Sequence, residues 1–374
     1  MTAAVSLPPG QRVRVSEFAE SPLEAIERYI TLEPMPAPDT TLLRPREVVI
    51  AIRSAAVSWV DLLMTSGQYQ HMPQPPYTPG LEYSGEVVWA GPAVDRLRVG
   101  DRVFADFFQV GPRSYGDYQA AGGFASYAVL PQEAVLPIPE GFSFDEACNL
   151  LGNYETAYHC LVVRGQLQPG ETVLINGASG STGMAAVQMA KLLGATVIAT
   201  GRSDAKLAEV QAHGADHVLN TRHADDPAGV RSFRDEVKAL TGGQGVDVVY
   251  DAVGGATAIE SLRAMAFGGR FLIVGWTSTP DVARGKGQRG APNANQFPTN
   301  IVQMKSLTVM GCPAVIAVAK NPALRTERLQ KIMAWVREGR IRPYISHRFP
   351  MAEVREAMRL RWNGGATGGC VLHP

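Results

Sequence analysis

Three glycines near the middle of the chain have the spacing of a dinucleotide-binding turn. Gly177, Gly180 and Gly183 lie where a β-branched apolar segment (172–176) ends and helical periodicity begins. Such a turn lets backbone N–H groups approach a pyrophosphate at the positive end of a helix. Glycines also occur in ordinary tight turns, but the strand, turn, helix and second strand over 171–202 are the context that binding requires. The predicted turn consists of Gly177, Ala178, Ser179, Gly180, Ser181, Thr182 and Gly183.

The residues after the second strand indicate which dinucleotide is bound. That strand (195–200) is followed by Gly201, Arg202 and Ser203, without the carboxylate that normally accepts a hydrogen bond from the ribose 2′-OH of NAD. Arg202 and Ser203 can instead bind a 2′-phosphate by charge and hydrogen bonding. The alternative is that Arg202 is an ordinary solvated surface charge. We predict NADPH as the cofactor, rather than NADH.

Composition limits the class of protein. The chain has 374 residues, enough for two domains with sizeable cores. Lys plus Arg and Asp plus Glu number 35 each, so no global charge attracts nucleic acid or a membrane. The four cysteines form no CxxC pair, no apolar segment is long enough to span a bilayer, and no signal peptide is recognisable. We therefore expect a cytoplasmic enzyme with a small-molecule substrate and no nucleic-acid or membrane partner.

The order of predicted elements divides the chain into two kinds of structure. Up to about residue 139 the chain is rich in Pro and Gly with short β-like segments, a pattern typical of a small irregular β-barrel. From residue 150 strands and helices alternate, which predicts a parallel sheet with right-handed crossovers. The predicted strands of this sheet are 172–176, 195–200, 217–219, 246–250, 270–274 and 306–310. Beyond Cys312 we predict helices at 324–338 and 351–360 and a closing strand at 370–373 that returns to the first domain.

Six segments resemble motifs of the medium-chain dehydrogenase/reductase superfamily, in particular its zinc-free quinone oxidoreductase-like and enoyl reductase-like branch. They are residues 55–63, 66–69, 79–85, 99–103, 176–183 and 366–369. The resemblance covers nearly the whole chain and implies an α/β protein with two domains. These are a GroES-like β-barrel catalytic domain (1–149 and 312–374) and a Rossmann doubly wound parallel-sheet domain that binds NADPH (150–311). The resemblance also implies a homodimer that pairs through the strand at 306–311.

The zinc-ligand positions of zinc-dependent relatives carry other residues in this chain. Ser58 stands where those relatives have Cys, Leu81 stands where they have His, and residues 105–120 contain neither Cys nor His. His71 is the only nearby imidazole. We therefore expect no metal. An enzyme without a Lewis acid should favour acceptors whose reduction gives a stabilised anion, such as quinones and α,β-unsaturated carbonyls.

The resemblance assigns roles to further residues. Tyr69 is the candidate catalytic residue, because a tyrosine in the matching loop of similar enoyl reductases is proposed as a proton donor; the alternative is a packing role. The expected substrate contacts are Ser58, Asp61, Tyr69, Tyr115 and Asn153, although Asp61 can instead brace its loop. The expected cofactor contacts outside the two turns are Thr156, Lys191, Val253, Gly254, Gly275, Trp276 and Thr277. Lys191 matches a family lysine that supports the 2′-phosphate, and Trp276 is either a wall beside the nicotinamide or part of the core.

We thus expect an NADPH-dependent, zinc-independent oxidoreductase that transfers hydride to a quinone or an α,β-unsaturated carbonyl. One alternative is a 2-enoyl thioester (acyl-CoA) reductase, for which the basic residues of segment 281–295 would bind the phosphates of CoA. The other alternative is an NADPH-binding protein without catalytic activity.

Overall fold

The computed structural model describes residues 7–69, 71–226, 229–278 and 295–374, which form two compact units. The first unit contains residues 7–151 and 345–374, and the second contains residues 152–278 and 295–344. The strands, in chain order, are β1 (Gly10–Val15), β2 (Ile30–Met35), β3 (Glu47–Ala56), β4 (Tyr83–Ala90), β5 (Arg102–Ala105), β6 (Tyr127–Pro131), β7 (Val135–Pro137), β8 (Thr172–Asn176), β9 (Thr196–Gly201), β10 (His217–Asn220), β11 (Val246–Asp251), β12 (Met265–Ile273), β13 (Thr308–Gly311), β14 (Ile345–Pro350) and β15 (Gly369–His373).

Helices connect and cover these strands. They are α1 (Pro22–Arg28), α2 (Trp59–Thr65), α3 (Phe144–Ala147), α4 (Leu151–Tyr158), α5 (Ser181–Leu192), α6 (Asp204–Ala212), α7 (Arg234–Leu240), α8 (Gly255–Ala264), α9 (Thr299–Met304), α10 (Ala314–Lys320), α11 (Ala323–Arg337) and α12 (Val354–Trp362). In the part of the chain that the structure describes, none of these helices combines the length and apolarity that crossing a bilayer requires.

The first unit is built around one long central strand. β3 pairs antiparallel with β4, β6 and β15, within a seven-stranded sheet of order β14-β15-β3-β4-β5-β7. Val48, Ile50 and Ile52 on one face of β3 lie in the main core, and Val49 on the other face packs with Trp89. Both faces of β3 are therefore buried, as expected for the β-barrel domain predicted from the sequence.

The second unit contains a six-stranded parallel sheet. Its order is β10-β9-β8-β11-β12-β13, so the chain moves outward from β8 in one direction and then returns to place β11 on the other side. This is the strand order of the doubly wound Rossmann fold, in which a dinucleotide binds where the order reverses. That switch point lies between the carboxyl ends of β8 and β11. The predicted Rossmann domain is confirmed, and its glycine turn follows β8.

The boundary between the units differs from the expected one at its C-terminal side. The predicted return to the first unit after residue 311 lies at residue 345. The reason is that α10 and α11 belong to the second unit, where Arg325 on α11 forms a two-pronged ion pair with the buried Glu155 on α4. The ring of Trp335 also lies against Tyr158, with 5.9 Å between ring centroids.

A π-helical turn follows α4 and places a histidine in the interior of the second unit. The turn spans His159–Arg164, and His159 is 3% exposed. Its Nδ1 lies 3.5 Å from the guanidinium of Arg328, which is itself 1% exposed and ion-paired with Glu155. Burial and the charges of Arg328 and Arg164 lower the pKa of His159 to about 4. The imidazole is therefore neutral in the folded protein at neutral pH.

This histidine makes stability depend on pH. Between about pH 6.5 and pH 4, the unfolded chain binds a proton at this histidine and the folded protein does not. Stability therefore falls as the pH falls from 6.5 to about 4. His159→Asn keeps an acceptor for Arg328 but removes the titration. Between pH 7 and pH 5 we expect the wild type to lose about 2 kcal/mol more unfolding free energy than the variant, measured by urea titration.

The matched control is His223→Asn, in a surface loop, which should retain the wild-type pH dependence. Identical slopes for wild type and His159→Asn would contradict the assignment.

Candidate functional site

The glycine turn after β8 is close-packed, and Gly177 and Gly183 occupy positions in it that disfavour any side chain. Gly177 has φ of 70°, in the left-handed region that other residues rarely adopt. A Cβ added to Gly183 would lie 2.3 Å from the carbonyl oxygen of Gly177, which is too close for any side chain. Gly180 precedes α5 without a side-chain cap, and the first turn of a helix leaves N–H groups without an intrahelical partner. The turn can therefore bind a phosphate group at the positive end of α5.

A buried hydrogen-bonded network supports the turn from below. The Asn176 side chain donates to Asp251 Oδ1 (3.0 Å) and to Ser261 Oγ (2.8 Å), and accepts from Thr200 Oγ1 (2.8 Å). Asn176 and Asp251 end β8 and β11, Thr200 is the last residue but one of the adjacent strand β9, and each is at most 1% exposed. The network therefore holds the carboxyl ends of the three strands together at the switch point.

Asp251 also shapes the loop that follows β11, and sequence reasoning missed it. Its carboxylate accepts from the backbone N–H groups of Val253 (3.2 Å) and Gly254 (3.1 Å). Burial raises the pKa of Asp251, while hydrogen bonds from Asn176 and the two amides act in the opposite direction. Gly254 has φ of 77°, so the predicted cofactor loop needs glycine there. An acid that ends a buried strand at the sheet's switch point was the available signal.

The next predicted cofactor loop, from Gly275 to Thr277, lies against the first. Thr277 Oγ1 donates to the carbonyl of Ala252 (3.1 Å), and Ser278 Oγ donates to that of Val253 (2.8 Å). Trp276 is 47% exposed, so it is not part of the core, the second of the two roles considered for it. These hydrogen bonds join the two loops. The joined loops lie beside the glycine turn, since the side chain of Val253 is near Gly177.

The turn after β9 brings together more cationic residues than the sequence motif contained. Exposed Arg202 and half-buried Ser203 lie between β9 and α6, as predicted, and Lys206 follows in the first turn of α6. Arg222 is exposed just beyond β10, whose last residue Asn220 pairs with Gly201. Sequence reasoning missed both Lys206, which follows Ser203 by three residues, and Arg222, which only the sheet register places beside the end of β9.

Lys191, the other predicted 2′-phosphate contact, lies elsewhere in the second unit. It is in the last turn of α5, where its ammonium group donates to the carbonyl of Ala195 and to both oxygens of Asp216. Ala195 precedes β9, whereas Arg202 follows it, so a whole strand separates the two basic residues. The structure does not bring Lys191 to the turn that carries Arg202.

Asn153 and Thr156 lie on α4. Asn153 Oδ1 accepts a hydrogen bond from Thr182 Oγ1 (3.1 Å), so it contacts the first turn of α5 directly. The Thr156 hydroxyl donates to the carbonyl of Gly152 one helical turn earlier. Asn153, predicted as a substrate contact, thus lies beside the glycine turn.

In the first unit, Ser58 and Asp61 form a brace. Ser58 caps α2 by accepting from the N–H of Asp61, whose carboxylate accepts from the Ser58 N–H (2.9 Å) and hydroxyl (2.6 Å). The other oxygen accepts from the amides of Gly80 and Leu81. Burial raises the pKa of Asp61 against these hydrogen bonds, and the residue is 1% exposed. Asp61 therefore ties α2 to the turn at 79–81, the second of its two expected roles.

Tyr69 is held by an arginine that the sequence analysis did not single out. The Arg113 guanidinium donates to Tyr69 Oη (3.2 Å) and lies over the Tyr69 ring, 5.5 Å from its centroid. The Arg113 guanidinium also lies over the buried Phe107 ring, 4.9 Å from its centroid. Arg113 and Phe107 belong to the long segment 107–123, and no motif in that segment predicted the contact.

The same segment contacts His71. The His71 ring lies 4.0 Å from the Tyr115 ring, centroid to centroid, and its Nε2 is 2.9 Å from the carbonyl oxygen of Ser114. Tyr115 is 74% exposed. Tyr118 instead donates to Glu47, and burial together with this contact raises the pKa of Tyr118 to about 12. Tyr115 is thus the exposed aromatic residue of this segment, whereas Tyr118 is tied to β3.

Among residues 7–69, 71–226, 229–278 and 295–374 no group of three or more His, Cys, Asp or Glu side chains is arranged to hold a metal ion. The basic residues Arg284, Lys286 and Arg289, predicted as a CoA clamp, lie outside the described residues.

Comparison with known proteins identifies the family. A family model described as "Alcohol dehydrogenase GroES-like domain" matches residues 44–140, and one described as "Zinc-binding dehydrogenase" matches residues 181–315. The chain is 34% identical to "Quinone oxidoreductase-like protein 2 homolog" of Nematostella vectensis, over 89% of this chain and 83% of that protein. It is 31% identical to "Quinone oxidoreductase-like protein 2" of Bos taurus, over 97% and 93%.

The chain belongs to the medium-chain dehydrogenase/reductase family, in its quinone oxidoreductase-like and enoyl reductase-like branch. A solved quinone oxidoreductase from Pseudomonas syringae superposes with a TM-score of 0.74 at 26% identity, covering 98% of this chain and 100% of that one. As a member of this family, the protein is an oxidoreductase that uses a nicotinamide cofactor. The cradle at Gly177–Gly183 fits the pyrophosphate of such a cofactor, because its glycines leave the backbone bare.

β13 is one of the two edge strands of the parallel sheet, and its residues Thr308 and Val309 are exposed. An exposed strand edge can pair with another chain. The homodimer implied by the resemblance stays a prediction.

Two glycines of the same motif separate cofactor binding from folding. Gly183→Ala places a methyl group against backbone, so we expect a lower melting temperature and weaker nicotinamide dinucleotide binding. The matched variant Gly180→Ala places its methyl group 3.4 Å from the nearest atom, at an ordinary φ of −72°. It should therefore keep the melting temperature but weaken the dinucleotide, whose pyrophosphate would meet the added methyl group.

Both properties are measurable by thermal unfolding and by titration of cofactor fluorescence. Unchanged cofactor affinity in both variants would refute this turn as the pyrophosphate site.

Proposed function

We propose that the protein is an NADPH-dependent, zinc-independent reductase of quinones or α,β-unsaturated carbonyls. The observation that carries this proposal is the Tyr69–Arg113 contact in the unit whose zinc-ligand positions hold Ser58 and Leu81. A phenol held by a cation is a hydrogen-bond donor for an oxygen that gains negative charge. Such a donor suits the reduction of an activated double bond or a quinone, in which the charge develops on oxygen.

When bound, the reduced nicotinamide supplies a hydride. The contribution of the chain is to hold the cofactor and to stabilise the charge that the acceptor gains. We assign Tyr69 as the donor to the carbonyl oxygen and as the source of the proton. The exposed ring of Tyr115 offers a flat apolar surface for an aromatic acceptor.

The preference for NADPH rests on charge at the carboxyl ends of β9 and β10. Arg202, Lys206 and Arg222 lie on the two adjacent strand ends and the start of α6, together with the Ser203 hydroxyl. The carboxylate nearest to Arg202 along the chain, Asp204, accepts a hydrogen bond from Asn220 (2.8 Å). A 2′-phosphate carries at most two negative charges, which the basic residues around this turn would bind by charge-assisted hydrogen bonds.

A 2-enoyl thioester reductase is the second candidate. The chain is 31% identical to a region of a phenolphthiocerol/phthiocerol polyketide synthase of Mycobacterium tuberculosis, over 87% of this chain and 13% of that protein. Enoyl thioesters are α,β-unsaturated carbonyls, so Tyr69 would play the same part.

A turnover screen tests the proposed function. Purified protein is given NADPH with a panel of quinones, enones and 2-enoyl-CoA thioesters, and NADPH consumption is followed by absorbance. We expect consumption with at least one quinone or enone. Consumption with enoyl-CoA alone would select the second candidate. No consumption with any acceptor, in protein that binds NADPH, would refute both and favour an NADPH-binding protein without catalytic activity.

Arg202→Ala tests the cofactor preference. Loss of a charge-assisted hydrogen bond to the 2′-phosphate should raise KM for NADPH about tenfold to a hundredfold and leave KM for NADH nearly unchanged. Arg337→Ala, at an exposed position in the last turn of α11, is the matched control and should leave both values unchanged. Equal effects on the two cofactors would count against recognition of the 2′-phosphate by Arg202.

A further inference from the structure

Arg113 differs from an ordinary surface arginine in that its guanidinium packs against two aromatic rings of the first unit. Its guanidinium lies over the rings of both Phe107 and Tyr69, 4.9 Å and 5.5 Å from their centroids. A guanidinium over two aromatic faces is held in place by cation–π attraction. Arg113 therefore has a defined position relative to the Tyr69 ring.

The hydrogen bond between them fixes the direction of the Tyr69 proton. The guanidinium can only donate, so Tyr69 Oη is the acceptor of the 3.2 Å contact. The phenol keeps its own O–H to donate to another atom. A guanidinium that donates to a phenol oxygen also stabilises that oxygen when it becomes negative, since charge-assisted hydrogen bonds are the stronger ones.

The positive charge of Arg113 has no carboxylate within ion-pair distance among the described residues, in contrast to Arg44 and Arg46 of the same unit. In that part of the chain its buried Nε also has no hydrogen-bond partner. An arginine whose role is to hold a loop is normally neutralised by an acid. The charge of Arg113 is instead directed at the phenol.

The loop that carries Arg113 is itself fixed. The next residue, Ser114, is buried and donates from both its N–H (2.9 Å) and its hydroxyl (2.8 Å) to the carbonyl of Gly111. Its own carbonyl contacts His71 Nε2 at 2.9 Å. These contacts flank Arg113 on the chain and restrict its backbone, so the guanidinium is delivered from a rigid turn.

We propose that Arg113 is the positioning residue for Tyr69, orienting the phenol hydroxyl toward the acceptor and stabilising the phenolate left when the proton is given up. The proposal rests on the proposed function. In the step, the Tyr69 O–H bond breaks, and its proton goes to the acceptor, which has gained an electron pair with the hydride. The bonding electrons stay on Tyr69 Oη, which then regains a proton from water.

A double-mutant cycle tests this proposal. Arg113→Met keeps a long side chain against the two rings but removes the charge and the donors. In the wild-type background it should lower kcat for the quinone or enone found active, tenfold to about a hundredfold, with little change in KM. In the Tyr69→Phe background, the same substitution should change kcat at most about twofold, since Arg113 acts through the hydroxyl. Arg113→Lys, which keeps the charge, should recover part of the loss.

Arg98→Met is the matched control, because Arg98 is an exposed arginine of the same unit. It should leave kcat unchanged in both backgrounds. A loss of kcat from Arg113→Met that is as large in the Tyr69→Phe background as in the wild type would overturn the proposal and indicate that the arginine only holds the loop. Thermal unfolding of each variant shows whether a loss of kcat comes from unfolding. If Arg113→Met does not fold, Arg113→Lys, which keeps the charge, takes its place in the same test.

A second readout does not depend on turnover. The near-ultraviolet absorbance of wild type minus that of Tyr69→Phe, both at neutral pH, reports Tyr69 alone. We expect this tyrosine band to lie at a different wavelength when the same difference is measured in the Arg113→Met background, because the phenol oxygen then loses the hydrogen bond from the guanidinium. A band at the same wavelength would overturn the proposal even if the acceptor screen had found no substrate. The failure of the proposal and that of the proposed function are thus separate results.

Discussion

The hydrogen bond between Asn176 and Asp251 is the interaction on which the second unit depends most. These residues end β8 and β11, the neighbouring strands at which the order of the parallel sheet reverses. The Asp251 carboxylate is fully buried, and burial disfavours its charge unless hydrogen bonds compensate. It obtains them from Asn176 and from the amides of the loop after β11. A buried acid without these donors would be strongly destabilising, so the loop and the turn are constrained together.

The first unit uses the same device at its own candidate site. Asp61 is buried and accepts hydrogen bonds from the cap of α2 and from the amides of Gly80 and Leu81. In both units, then, a buried carboxylate joins two segments of chain that are distant in sequence: Asp61 through backbone N–H groups of both segments, and Asp251 through the side chain of Asn176 and the amides of its own loop. The arrangement leaves neither acid for chemistry. The groups that we propose for cofactor binding and chemistry are carried on the fixed segments: the glycine turn in one unit and Tyr69 with Arg113 in the other.

Most strands were predictable to within a residue or two because each has a local signal. β8 is an apolar β-branched segment between turn residues, and the structure begins and ends it at the predicted residues. β12 begins five residues earlier than predicted, since Met265 already pairs with Val246, and the irregular stretch before Arg270, which contains Gly268 and Gly269, gives no strand signal. The domain return at 312 was misplaced for a different reason. The amphipathic pattern of α11 predicts that one face is buried, but not which unit buries it, and the ion pair of Arg325 with Glu155 decides that.

By itself the sequence determined the fold class, the two kinds of domain, the glycine turn and the absence of an acid at the end of β9, where NAD-binding proteins normally have one. Each of these follows from the order of neighbouring residues, through hydrophobic period, turn chemistry and motif spacing. Only the tertiary structure decided which polar groups meet. It placed Arg113 against Tyr69 and Asp251 beneath the predicted cofactor loops. It also placed Arg222 beside the end of β9 and Lys191 far from Arg202. These contacts join residues far apart in the chain, and sheet register and loop geometry, which no local pattern encodes, bring them within hydrogen-bond distance or keep them apart.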